Sequence, residues 1–142
     1  LQYSTNPLYT LSKWNSYMNV NGMLLLSVPQ HTGIEYGRQY SVGYSGCYYH
    51  YTPISLIYML AVSGFDCNDA YFYKHPQNNW IQLAVYKATE EYLDPASTSL
   101  YDLAEKNLLH QTMIDSLNRY GHIRQEDVVL PWLDKDFYQI KS

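Results

Sequence analysis

Asn21-Gly22-Met23-Leu24-Leu25-Leu26-Ser27-Val28-Pro29 is the stretch on which the fold of this chain turns. Asn-Gly marks a turn, and the apolar run after it is closed by proline. A short apolar run without alternation predicts a central strand buried on both faces, as in a parallel sheet covered by helices. A Tyr- and Gly-rich loop follows from Gln30 to Tyr51, and then Thr52-Pro53 opens a helix over residues 53–63. Thr52 is a good N-cap, and Pro53 suits the first turn, where its missing N–H costs nothing. Ile54, Ile57, Tyr58 and Ala61 fall on one face. Gly64 then takes the left-handed position after the helix, with Phe65 folding back as its apolar contact. Loops as long as residues 30–51 are uncommon in compact domains unless they are functional or disordered. This one leaves the carboxyl end of the strand, where open α/β sheets place their ligands.

Working outward, Asn6-Pro7 repeats the cap-plus-proline start. Leu8, Leu11, Trp14 or Asn15, and Met18 then give an amphipathic helix ending before Gly22. Downstream, residues 70–74 and 80–87 are rich in aromatic and β-branched types and flank His75-Pro76-Gln77-Asn78-Asn79. They predict an antiparallel hairpin at the sheet edge. Leu100, Leu103, Ala104, Leu108, Ile114 and Leu117 predict a helix over residues 99–120, stopped by Gly121. Val128-Val129-Leu130-Pro131-Trp132-Leu133 is expected to pack on the body.

The chain has 142 residues, with 46% hydrophobic and 15% charged, which describes one globular domain with a real core. No apolar run approaches a membrane span, and no secretory pattern opens the sequence. A formal net charge of −4 argues against a grip on nucleic-acid phosphates. Cys47 and Cys67 fit no disulfide or metal framework, so a reducing, cytoplasmic setting is expected. Seventeen tyrosines, crowded between Tyr36 and Tyr73, supply flat apolar area with polar tips. Core packing and codon bias account for them as well as a binding wall does. Leu1-Gln2-Tyr3 lacks an initiator Met and reads as a continuation, so a fragment of a longer or split protein is expected.

The order of these pieces resembles the C-terminal half of class I S-adenosylmethionine-dependent methyltransferases. In that family a Glu-His-x-x-(Asp/Asn)-Pro segment leads into a helix and a Gly-Gly turn. A strand reading like Leu-Leu-Leu-Ser-Val-Pro comes next, followed by a substrate loop. A His shortly before a Thr-Pro or Ser-Pro helix start, a Leu-rich helix and Gly-Phe then precede two final antiparallel strands. Here Gln2-Tyr3-Ser4-Thr5-Asn6-Pro7, Asn21-Gly22, Leu25-Leu26-Ser27-Val28-Pro29, His50-Tyr51-Thr52-Pro53 and Ser63-Gly64-Phe65 stand in that order. The resemblance implies an α/β fold, half of a doubly wound Rossmann-like sheet ending in an antiparallel hairpin. Residues 1–87 would form that half-domain, and 88–142 a helical C-terminal extension packed on it. It implies S-adenosylmethionine as cofactor, with Gln2 and Tyr3 at the cofactor edge, and a small-molecule methyl acceptor. The family's Gly-rich turn and ribose-binding acidic residue are not in this sequence, and Gln2-Tyr3 carries no charge where Glu-His would. A half-sheet would expose an unpaired edge and one apolar face, so a missing N-terminal half or a homo-oligomer is expected to cover them.

The candidate site residues lie in the long loop. His50, next to a helix start, has a free pKa near neutrality and can orient a substrate or act as general base. His31, Tyr36, Arg38, Tyr44, Tyr48 and Tyr49 can line a substrate wall, with Arg38 gripping a carboxylate or phosphate. Ordinary loop packing explains the same residues. Two other classes are open. One is a non-catalytic binding or assembly module. The other is a cysteine hydrolase using Cys47 with His110 or His122, although Cys47 precedes Pro53 by more than a helical turn. His50-Tyr51-Thr52 and His110-Gln111-Thr112 resemble the paired motifs of two-histidine phosphoesterases, but the second is expected within a helix rather than on a facing strand. No His, Cys or carboxylate group has metal-ligand spacing; His31, His75 and His122 stand apart.

Overall fold

The computed structural model describes residues 1–29, 51, 53–74, 80–112 and 114–115. Helix α1 spans Pro7–Tyr17; the Asn6 side chain caps it by accepting from Tyr9 N at 3.0 Å, and Pro7 occupies the first turn. Leu8, Leu11 and Asn15 form its buried face. The chain then reverses through Asn21, which takes φ 64°. Asn21 N donates to Lys87 O at 3.0 Å, and Lys87 N donates to Gly22 O at 2.9 Å. Two residues thus oppose one, a bulge in which Asn21 takes the left-handed position usually given to glycine.

Strand β1 follows over Met23–Pro29, helix α2 over Pro53–Val62, strand β2 over Phe65–Lys74 and strand β3 over Trp80–Lys87. The sheet order is β1-β3-β2, with β3 antiparallel to both neighbours, so β1 and β2 run parallel. Strand β1 is therefore not the central buried parallel strand that its composition predicts. Among the described residues it is an edge strand, and its one sheet neighbour there is antiparallel. Leu26 and Val28 are buried, whereas Met23, Leu25 and Ser27 are exposed. Three consecutive leucines hid the alternation, because Leu25 is apolar yet points away from the core. The predicted hairpin pairing is present, but β3 lies at the centre of the sheet and β2 starts at Phe65, earlier than the hairpin pattern suggests. Pairing along β2 is interrupted between Asp66 and Tyr71.

Helix α2 is buried on all sides from Leu56 to Val62, so its one-sided pattern understated its position. It packs against α1, β2 and a short helix, α3, at Leu100–Glu105. Gly64 takes φ +89°, and Phe65 is fully buried, as the helix-stop reading expects. Leu93, Leu100, Leu103, Leu108, Leu109 and Ile114 join the core cluster that contains α2, Val28 and Val85.

The helix predicted for residues 99–120 is interrupted after Glu105, and helical residues resume at 111–112 and 114–115. Asn107 takes φ 58°, Leu108 N donates to Leu103 O at 2.9 Å, and Asn107 N donates to Ala104 O at 2.9 Å. This is a Schellman ending with Asn in the left-handed position, and its apolar contact joins the buried Leu103 and Leu108. Leucine spacing continued past Asn107, which is why periodicity alone ran through the stop. Thr52, Gly121 and residues 128–133 lie outside the described residues.

Candidate functional site

Helix α2 follows β1 in the chain, packs against β2 and turns directly into it through Gly64. Tyr51, just before α2, is 1% exposed, and its hydroxyl donates to Leu1 O at 3.4 Å. That bond brings the first residues of the chain beside the start of α2. Gln2 is buried, with its Oε1 accepting from the Leu1 amino group at 3.4 Å, while Tyr3 is 61% exposed. Ser4 and Thr10 hydroxyls lie 2.6 Å apart, and Ser4 Oγ accepts from Asn6 N at 3.2 Å. The segment ahead of α1 is thereby held against the helix by its own polar side chains.

Of the sequence-derived site residues, Gln2 and Tyr3 are described, and their neighbour Leu1 is the residue bonded to Tyr51. His31, Tyr36, Arg38, Tyr44, Tyr48, Tyr49 and His50 lie outside the described residues, as does Cys47. His110 is exposed and immediately precedes a helical segment that includes Gln111 and Thr112, with Ile114 N donating to His110 O at 3.4 Å, so its His-x-Thr motif opens a helix rather than lying in the middle of one. Cys67 is buried; desolvation, and secondarily Asp66, push its thiol far up, and Sγ donates to Ile57 O at 3.7 Å. A protonated thiol sealed in the core is a packing residue, not a nucleophile. Among the described residues, no three or more His, Cys, Asp or Glu gather as a metal site.

Two structural hubs went unremarked in the sequence. The Lys87 side chain is 1% exposed, and its ammonium donates to Asn15 O at 3.0 Å, Met18 O at 2.7 Å and Glu90 Oε1 at 2.9 Å. All three ammonium protons are used, and two of them satisfy carbonyls at the end of α1. The signal was the alternation of Leu83, Val85 and Lys87, which puts the lysine on the inner face. Tyr58, in α2, shares its hydroxyl proton between Pro95 O at 2.9 Å and Thr98 O at 2.6 Å. Burial first, then Asp94, raise its pKa to about 12.

No family model, curated protein or solved structure matches the chain. Among the described residues, no helix is long and apolar enough to cross a membrane.

Proposed function

We propose that this chain forms the substrate-side part of an S-adenosylmethionine-dependent methyltransferase acting on a small molecule. The observation that supports the reading is the β1–α2–β2 crossover with parallel β1 and β2, closed by the antiparallel β3. Its motifs keep the order of the family resemblance, and Tyr51, just before α2, donates to Leu1 O in the segment that carries Gln2 and Tyr3. In this reading His50 orients the acceptor and takes its proton, and Arg38 holds an acceptor anion. His31, Tyr36, Tyr44, Tyr48 and Tyr49 surround the acceptor, leaving proximity and orientation as the main catalytic contribution.

The cofactor fits the described residues only at its edge. Tyr3 offers an exposed aromatic face, but the Gln2 carbonyl oxygen is already engaged by Leu1. Residues 1–29 contain no carboxylate to receive ribose hydroxyls. A non-catalytic assembly module is the second reading, favoured by the exposed apolar side chains of β1.

The test is calorimetric titration of the protein, in its full-length form, with S-adenosylhomocysteine, together with Tyr3→Ala and His50→Ala. Binding that weakens in Tyr3→Ala supports the reading. With an acceptor in hand, His50→Ala should lower turnover by roughly 10²–10⁴-fold with folding unchanged. Absence of any cofactor binding by the full-length protein would overturn the proposal. Lower thermal stability in His50→Ala without a ligand effect would make that histidine structural.

A further inference from the structure

The outer flank of β1 has no strand paired to it among the described residues. The bond from Lys87 N to Gly22 O sets the phase of the ladder, since residues along β1 alternate in the direction of their backbone polar groups. Gly22, Leu24, Leu26 and Val28 address β3. Met23, Leu25 and Ser27 therefore present their N–H and C=O groups to the open flank, and no described strand lies there. Met23 is 51% and Leu25 68% exposed, and Tyr86, directly across from Met23, is 48% exposed.

Protein edges of this kind normally carry a charge, an interior proline or a bulge that blocks pairing. From Trp14 to Pro29 the sequence contains no charged residue at all, in a chain of net charge −4. Such an edge offers nothing to nucleic acid or to a charged peptide. A second copy, by contrast, brings only apolar and neutral side chains to it.

We infer that two copies of this chain pair antiparallel along β1 about a twofold axis at Leu25. Leu25 then faces its own symmetry mate, and Met23 faces Ser27 in both directions, which makes one continuous sheet, β2-β3-β1-β1-β3-β2. The contact is isologous and closed, as twofold interfaces are. The ladder ends where it must: in this register Pro29, which has no N–H, meets Asn21, whose N–H is already given to Lys87. Met23 and Leu25, with Tyr86 beside them, become a shared apolar strip. The methyltransferase reading would seat an upstream half on this same flank, so the pairing applies to residues 1–142; mass in solution reads it, and cofactor titration of the full-length protein reads the other.

Sedimentation velocity on residues 1–142 at micromolar concentration tests it. The expected species has twice the 16.6 kDa of one chain. Leu25→Lys and Leu25→Glu each place like charges opposite one another on the axis and should weaken dimerisation at least about tenfold. Both should leave the circular dichroism spectrum unchanged, since residue 25 points outward. An equimolar mixture of the two variants should recover the dimer. Ser27→Pro, which removes only a flank-facing N–H, should also weaken it and guards against misfolding of the charged variants. A monomeric wild-type chain, or full dimer mass in folded Leu25→Lys, would overturn the inference.

Discussion

The ammonium of Lys87 donates to the backbone carbonyl of Met18 at 2.7 Å, tying the end of the central strand to the end of the first helix. The backbone of the same residue bonds to Asn21 and Gly22. One side chain and one peptide unit therefore fix how α1 meets the sheet. A cation at a helix C-terminus also complements the helix dipole.

Lys87→Met keeps the aliphatic stem and removes all three donors. The Met18 carbonyl loses this donor, while the Asn15 carbonyl keeps the bond from Met18 N, and the loss should be about 1–3 kcal/mol in chemical denaturation. Glu90→Gln should cost under about 1 kcal/mol, because Glu90 is 75% exposed. Equal losses in the two variants would assign the effect to the ion pair instead of the helix end.

Tyr58→Phe should destabilise by about 1–2 kcal/mol through loss of the bond shared between Pro95 O and Thr98 O. The pH dependence has a definite sign. The folded-state pKa, about 12, exceeds the ordinary value of 10.0, so the folded form holds the phenolic proton more tightly. That stability is complete below pH 10 and is lost as pH rises from 10 through about 12. Alkaline denaturation of Tyr58→Phe should be correspondingly less steep over that interval.

Ser99 and Asp102 form a reciprocal cap: Asp102 N donates to Ser99 Oγ at 3.2 Å, and Ser99 N donates to Asp102 Oδ2 at 2.6 Å. The Ser99 backbone bond, then its hydroxyl, hold the Asp102 carboxyl below its ordinary pKa. Its contribution is present above the ordinary carboxylate pKa and lost as pH falls through the depressed one. Ser99→Ala should cost about 1 kcal/mol at neutral pH. The cost should shrink under acid, as read from urea midpoints at a series of pH values.

Gly64→Ala should be the most damaging of these changes. At φ +89° an added Cβ is strained, and it would meet Thr89 O at 2.4 Å, a backbone atom that cannot step aside cheaply. Gly64 O also accepts from Ala88 N and Thr89 N, so moving the turn breaks the start of the segment leading to α3. A loss above about 2 kcal/mol is expected in thermal or chemical unfolding. A variant of wild-type stability would mean the crossing relaxes freely.

The sequence showed its helix boundaries best where capping chemistry wrote them. Asn6-Pro7 and Gly64-Phe65 were readable because cap residues act within a few positions of themselves. Leu25 was not, since side-chain direction in a strand depends on what lies across it, and apolar composition is silent about direction. Asn107 ended a helix whose leucines continued, so a local left-handed residue overrode periodicity. Of the site, only Gln2 and Tyr3 fall among the described residues. The bond from Tyr51 to Leu1, beside them, spans fifty residues, a relation that no local pattern encodes.

The position of β3 has a temporal consequence. Strands β1 and β2 are not neighbours, and each finds its hydrogen-bonding partner only in the last strand made. While the chain emerges from the ribosome at about 5–20 residues per second, Met23–Pro29 must wait for Trp80–Lys87 before its ladder can form. A nascent chain halted before Trp80 would hold β1 and β2 without the strand that lies between them. Those unfinished chains, more than the finished protein, are the ones a cell would have to shield.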